Sequence, residues 1–268
     1  MPEKGRWLAR GRTAELYLWG DHVLKLFKPG VTSTAVEQEF KINSHVQQTG
    51  LPVPKTIDIV EVDGRKGIIY QSISGSSMLK QISTKPWTLK KEAHRLAELH
   101  LAIHGYAVSN LPEQKLNLEN EISSGELLSA HSREIILEVL ARLPDRHQLC
   151  HGDFHPDNIL LSPAGPIIID WMTGSSGEPL GDVARTLLLL RVASPLLTHS
   201  YFTRKLIDFV RINFYGNYLK HYLKLTNTSF AQIQRWELPI AAARLNESIP
   251  TAEKERLVLM INHLLFGR

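Results

Sequence analysis

Residues 150–170 read CHGDFHPDNILLSPAGPIIID, and this stretch decides the fold. It opens on a dense polar cluster of His151, Asp153, His155, Asp157 and Asn158. An apolar run at 159–161 follows, then a turn signal at 162–165 with Pro163 and Gly165, then a β-branched run at 167–169 that ends on Asp170. Two such runs around a Pro/Gly turn predict a hairpin. An antiparallel hairpin brings its open ends together. Asn158, just before the first strand, and Asp170, just after the second, are therefore expected side by side, with Asp153 one short loop away. An amide oxygen and a carboxylate are hard ligands, and the spacing suits Mg²⁺, which takes one or two protein ligands together with phosphate oxygens. The alternative is an ordinary loop and hairpin with polar residues by chance.

HGDFHPDN at 151–158, with IDW following at 169–171, resembles the catalytic core of the aminoglycoside phosphotransferase and choline kinase group. These are small-molecule kinases on the protein-kinase-like fold, whose protein-kinase version of the loop reads H-R-D-L-x-x-x-N followed later by D-F-G. The resemblance implies an α+β, two-lobed fold. Its small N-lobe, residues 1–72, would be an antiparallel sheet with one helix, and its larger C-lobe, residues 73–268, mostly helical. It implies transfer of the γ-phosphoryl group from ATP or GTP to a hydroxyl of a small molecule. Asp153 would be the catalytic base that accepts the hydroxyl proton. Asn158 and Asp170 would hold the Mg²⁺ that bridges the phosphates. His155 falls where protein kinases carry a lysine near the transferred phosphate. His151 and Asp182 would support the catalytic loop, Asp182 by hydrogen bonds to the loop backbone, although helix capping is an equally available role for it.

Residues 5–28 read as strand, turn and strand, and in HVLKLF at 22–27 Val23 and Lys25 share a face by the period of two. A lysine on an inner face needs an anionic partner; otherwise Lys25 is a solvated lysine on an edge strand. In the resembled group the partner is the nucleotide phosphate, with a helical glutamate orienting the lysine. A helix is expected at 34–49, with Thr34 and Glu37 as a capping box and Gly50 as its stop. Glu39 stands eleven residues before Gly50, where the group's pattern before G-[LV]-P-V-P carries the lysine's partner. Glu37 is the competitor on another face. Strands at 57–61 and 67–71 complete a five-stranded sheet. The Ser/Gly-rich stretch 72–77 reads as a hinge, where Gln71 and Ile73 would offer backbone contacts to the nucleotide base. The G-x-G-x-x-G loop is missing, and Gly11 in GRTAE stands in for it. No G-x-x-x-x-G-K-[ST] occurs, which argues against the P-loop class of kinases.

Helices are expected at 88–104 and 132–143, with a loop at 106–120. After Asp170 the chain reads WMTGSSGEPLGDVART, too short for the activation segment and A-P-E of a protein kinase. This points to a small-molecule acceptor rather than a peptide. A helix is expected at 183–192 and others near 199–224, 229–244 and 251–266, with Tyr201, Phe209, Phe214, Tyr218, Tyr222 and Trp236 as core or ligand-box aromatics. Residues 194–268 carry ten Arg/Lys and five Asp/Glu, a net of 10 − 5 = +5. A polycationic aminoglycoside needs carboxylates to pair with, so a neutral or anionic hydroxyl compound such as a sugar fits better.

Hydrophobic content of 43% and charged content of 22% over 268 residues fit a globular chain with sizeable cores. The net charge of 31 − 27 = +4 is spread too thinly for a nucleic-acid partner. The N-terminus lacks the apolar core of a signal peptide, and apolar stretches fall short of the ~18 residues of a membrane span. The lone Cys150 is expected to be packed rather than reactive, and it fits a reducing cytoplasm. A catalytically silent, nucleotide-binding relative of these kinases is the competing reading.

Overall fold

The computed structural model describes residues 4–192 and 201–267, with the side chains of 201–204 and 206 outside that description. The chain forms two compact units. The first runs to Lys80 and takes in Asp157–Thr173; the second comprises Gln81–Pro156 and the chain from Gly174 onward.

The first unit is built on five antiparallel strands in the order β1-β2-β3-β5-β4: β1 Trp7–Arg10, β2 Ala14–Trp19, β3 His22–Phe27, β4 Thr56–Val62 and β5 Arg65–Gln71. Helix α1, Ser33–Gln48, lies between β3 and β4 in the chain. Asp63 and Gly64 join β4 to β5, both with positive φ (54° and 70°). That conformation matches the twist of a tight hairpin and suits Asp and Gly. Alternation along the strands sorts the core into two faces. Ala14, Phe27 and Ile68 pack against Val36 of α1, while Trp19, Leu24, Leu26 and Ile69 form a second cluster on the opposite face. Each fully buried side chain of this size stabilises by about 1.5–3 kcal/mol. Lys25 shares the parity of Phe27 and so lies on the α1 face.

Helix α1 starts two residues earlier than its expected capping box. Thr32, extended at φ −70° and ψ 149°, is the cap, and its hydroxyl accepts from Ala35 N. Thr34 is already inside the first turn, and Glu37 is turned instead to Lys66 Nζ at 2.7 Å.

A second, three-stranded sheet completes this unit: β6 Ser76–Ser77, β8 Ile159–Ser162 and β9 Gly165–Ile168, in the order β6-β8-β9. It explains why the unit reaches past residue 72 and takes in the hairpin. β6 pairs with β8, and Ile168 N donates to Pro52 O at 2.7 Å. Gly75 permits this pairing: a Cβ there would sit 2.5 Å from Leu161 O.

Helix α2, Met78–Thr84, carries the chain into the second unit. There follow α3 Leu89–His104, α4 Gln114–Ser124, α5 Ala130–Ala141, strand β7 Gln148–Cys150 paired with β10 Ser175–Gly177, then α6 Pro179–Val192, α7 Tyr201–Thr226, α8 Phe230–Gln234, α9 Glu237–Arg244 and α10 Thr251–Phe266. Helix α4 falls partly in the stretch expected to be a loop. Its buried positions are only Gln114 and Ile122, too few for an apolar period to show. The helix expected at 229–244 is broken at Arg235 and Trp236, where the Trp236 side chain is buried. Phe214, Tyr218, Tyr222 and Trp236 are core residues, Phe209 is exposed, and the Tyr201 side chain lies outside the described residues. Among the described residues no helix is long and apolar enough to cross a membrane.

Candidate active site

The residues singled out in the sequence fall into both units. Gly11, Lys25, Glu39, Gln71, Ile73, Asn158 and Asp170 belong to the first, and His151, Asp153, His155 and Asp182 to the second.

In the first unit Lys25 is the centre. Its Nζ lies 2.7 Å from Glu39 Oε1 and 2.7 Å from Asp170 Oδ1. Tyr70 Oη donates to the same Glu39 oxygen at 2.9 Å. Helical spacing explains the choice of acid: Glu39 falls on the buried stripe of α1 with Val36 and Val46, while Glu37 faces outward. Burial works against the lysine's charge, but the carboxylates of Asp170 and Glu39 outweigh it and hold the ammonium protonated, its pKa above the ordinary range. Glu39 is 1% exposed and Lys25 11%, whereas Asp170 is 45% exposed. The pair is thus anchored inside, with one carboxylate open to a ligand. Asp170 has φ 65°, a left-handed backbone that Asp tolerates better than most residues.

The hairpin fixes where Asp170 starts. Ile159 pairs with Ile168, and Ile169 N donates to Asn158 O at 3.0 Å. Asn158 and the residue before Asp170 are therefore opposite one another at the open end. Lys28, just past the end of β3, donates to the carbonyls of Gly11 and Arg12 at 2.6 and 2.8 Å and closes the short Gly11 turn. Gln71 N donates to Lys55 O at 2.8 Å, and Gln71 Oε1 accepts from Lys55 N at 3.3 Å. Ile73 is half-buried in the stretch beyond β5.

In the second unit the loop at 151–155 is tied down by its own histidines and by α6. Asp153 N donates to His151 Nδ1 at 3.3 Å, and Asp153 Oδ2 lies 3.5 Å from His155 Nε2. Burial would lift the Asp153 carboxyl, but the hydrogen bond from His155 and the charges of His155, Arg185 and His151 hold it well below the usual carboxylate range. A carboxylate held so firmly ionised is suited to orienting a hydroxyl through a charge-assisted hydrogen bond.

Three residues on one face of α6 grip the loop backbone. Asp182 accepts from His151 N at 2.6 Å and from Gly152 N at 2.8 Å. Arg185 Nε donates to Gly152 O at 3.2 Å, and Thr186 Oγ1 to Phe154 O at 2.8 Å. Spacings of three and four place them together on the helix. From α3, His100 and His104 bring their Nε2 atoms to Asp182 Oδ2 at 3.0 and 3.3 Å. Arg185, Thr186, His100 and His104 escaped the sequence reading. The available signal was polar residues at i, i+3 and i+4 in the otherwise apolar PLGDVARTLLLL, and a histidine pair at i, i+4 on the buried stripe of α3.

The profile of the phosphotransferase enzyme family matches residues 8–228. Among curated proteins, mouse acyl-CoA dehydrogenase family member 10 is 26% identical over 179 residues, 58% of this chain and 17% of that protein; the chain spans a minor part of that relative. Among solved structures, an aminoglycoside phosphotransferase in ternary complex with AMP-PNP and hygromycin B superposes with a TM-score of 0.68 at 15% identity, covering 96% of this chain and 92% of that one. Amicoumacin kinase in complex with AMP-PNP and Ca²⁺ gives a TM-score of 0.64 at 15% identity, covering 98% and 88%. A choline/ethanolamine kinase family protein from Mesorhizobium loti gives 0.63 at 13% identity, covering 98% and 88%. At these identities the likeness is one of fold, and the fold is protein-kinase-like.

Proposed function

Because the chain belongs to the phosphotransferase enzyme family, we propose that it transfers the γ-phosphoryl group of ATP or GTP to a hydroxyl of a small molecule. The observation that carries this reading is Lys25, a mostly buried ammonium held between Glu39 and Asp170 at 2.7 Å each. A lysine fixed in this way is a point charge pre-set for nucleotide phosphates.

The donor set at the hairpin's open end fits a hard divalent cation. The amide oxygen of Asn158 and the half-exposed carboxylate of Asp170 are the oxygen ligands that Mg²⁺ prefers. Bound there, the ion would neutralise charge on the phosphate oxygens. The protein's own part is positioning. Lys25, kept in place by Glu39 and through it by Tyr70, binds the donor phosphates. Gly11, in the turn closed by Lys28, together with the backbone at Gln71 and Ile73, contacts the rest of the nucleotide. Asp153 accepts the hydrogen of the acceptor hydroxyl and aims its oxygen at the γ-phosphorus. His155, beside Asp153, faces the transferred group. As the new O–P bond forms, the bond to the bridging oxygen of the departing diphosphate breaks, and the hydroxyl proton passes to Asp153. Little proton transfer is needed early in such a step, which suits a carboxylate with a strongly lowered pKa.

Charge in the C-terminal helices favours a neutral or anionic acceptor. Of the five acidic residues in 194–268, Asp208, Glu237, Glu247 and Glu253 are already paired with arginines: Arg211, Arg191, Arg185 with Arg244, and Arg244. Few carboxylates are left to meet a polycation. A free, buried Cys150 and the use of ATP both suit the cytoplasm.

The test is Asp153→Asn assayed for ADP release with Mg·ATP and a panel of neutral and anionic hydroxyl compounds. Turnover should fall by about 10²–10⁴-fold, while the thermal midpoint still rises on adding Mg·ATP. Wild-type turnover in the variant sinks the assignment of Asp153. Nucleotide binding without turnover by the wild type toward any acceptor makes the chain a silent nucleotide-binding relative.

A further inference from the structure

Asp182 receives four hydrogen bonds, and two of them lead on to helix α7. His100 and His104 lie one turn apart on α3, and Tyr218 and Tyr222 lie one turn apart on α7. Tyr218 Oη is 2.7 Å from His100 Nδ1, and Tyr222 Oη is 3.0 Å from His104 Nδ1. The histidines' other ring nitrogens meet Asp182 Oδ2. All five side chains are buried. Two parallel chains therefore run from tyrosine through histidine to one carboxylate, and from that carboxylate to the amides of His151 and Gly152.

The hydrogens in this network are determined by chemistry. The Asp182 carboxyl is held well below its ordinary range: burial opposes this, but the two imidazoles against it, His100 and His104, prevail through their hydrogen bonds. An ionised carboxylate only accepts, so each Nε2 must carry the hydrogen. Burial, then the neighbouring His104, push His100 down to about 4, so its ring is neutral at neutral pH and its Nδ1 accepts from Tyr218. The Nε2 atoms and the carboxylate lie within 4.8 Å of one another, a spacing a metal ion could bridge. With both Nε2 atoms protonated and donating, they have no lone pair for one.

We propose that Tyr218 and Tyr222 are positioning residues for the catalytic loop, each hydroxyl locking the tautomer and orientation of one histidine so that Asp182 keeps its oxygens on the amides of His151 and Gly152, directly before Asp153. The assignment of a catalytic purpose rests on the phosphotransferase reading; the positioning itself does not. It gives α7 a role in the placement of Asp153 that no contact between α7 and the loop is needed to supply.

The test uses Tyr218→Phe and Tyr222→Phe, with Tyr215→Phe as the control. Tyr215 is a half-buried tyrosine of the same helix, with its hydroxyl toward Arg191 rather than the histidines. Three quantities are read on the full chain: amide exchange at His151 and Gly152, the imidazole tautomers by nitrogen-15 NMR, and kcat and KM for phosphoryl transfer from Mg·ATP to water. In the wild type His100 and His104 should both be Nε2–H tautomers. In the two variants the His151 and Gly152 amides should exchange at least ~10-fold faster, and kcat should fall about 10-fold with KM for ATP unchanged, while Tyr215→Phe moves none of these. Nδ1–H tautomers in the wild type overturn the proposal without any variant being made. Unchanged amide exchange and kcat in the folded variants overturn it as well. Faster amide exchange in a protein whose wild type shows no turnover upholds the positioning and fails the phosphotransferase reading alone.

Discussion

Lys25 Nζ and Asp170 Oδ1 are 2.7 Å apart although the residues are separated by 145 positions in the chain. The contact joins the third strand of the first sheet to the end of the β8–β9 hairpin, within one compact unit. It also fixes a direction. Glu39, wholly buried, holds the lysine from behind, and the half-exposed Asp170 is the partner that an incoming ligand can share.

Replacing Lys25 by Met should therefore abolish the rise in thermal midpoint on adding Mg·ATP. A ligand at ~100 times its dissociation constant stabilises the wild type by about 2.7 kcal/mol. The apo protein should also lose stability, because Glu39 is left as a buried carboxylate whose remaining hydrogen-bond donor is Tyr70. A Lys25→Met protein that still shows the full nucleotide shift would remove Lys25 from the nucleotide site. Calorimetry with and without Mg·ATP measures both effects.

Asp182→Asn should be among the most damaging single changes. The amide oxygen can replace Oδ2, which accepts from both imidazoles and from His151 N, but the N–H₂ then replaces Oδ1 and opposes Gly152 N, donor against donor, and the charge that all four donors meet is lost. Breaking a buried charged network costs about 3–5 kcal/mol. Urea unfolding of the variant checks the loss. A change below ~1 kcal/mol would mean that the four hydrogen bonds contribute far less than their burial implies.

Stability should depend on pH through His100. Its folded-state pKa is lowered from 6.5 to about 4 by burial and by the neighbouring His104, against the pull of Asp182. Tyr218, His151 and Phe154 surround the same ring. As pH falls below 6.5 the unfolded chain takes up a proton that the native ring refuses until about 4. Stability is thus lost across that window and the His100 contribution is constant below it. From about pH 7 to about pH 5 the loss should be on the order of 2 kcal/mol. Asp182 acts lower still: its depressed carboxyl sustains stability above the ordinary carboxylate range, and that share is lost progressively as pH falls from that range down through the folded value. Denaturant unfolding at the two pH values, repeated on His100→Gln, is the check; an unchanged slope in the variant assigns the effect to another group.

Cys150 should be silent to thiol reagents in the native protein. Its side chain is fully buried, and burial, reinforced by Asp182 and Glu178, raises its pKa well above the ordinary thiol value. The thiolate is the reactive form, so modification should occur only on unfolding, and its rate should follow denaturant concentration. Rapid stoichiometric labelling of the native protein would contradict the packing around β7.

Local physics was sufficient for much of this protein. The period of two placed Lys25 on the face of β3 that meets α1, and the Pro/Gly turn between two apolar runs determined the hairpin that starts just after Asn158 and ends before Asp170. Those signals are short-range: a turn, an alternation, a helix stop. Helix α4 and the break at Trp236 lacked such signals, because a thin apolar stripe and a single buried indole leave little periodicity to read. The tertiary structure alone decided which side chains meet across long separations. It turned Glu37 to Lys66, and set Tyr218, Tyr222, His100 and His104 around Asp182. A buried polar group must find its partners wherever the packing of helices brings them, and that packing is a property of the whole fold rather than of any one stretch of sequence.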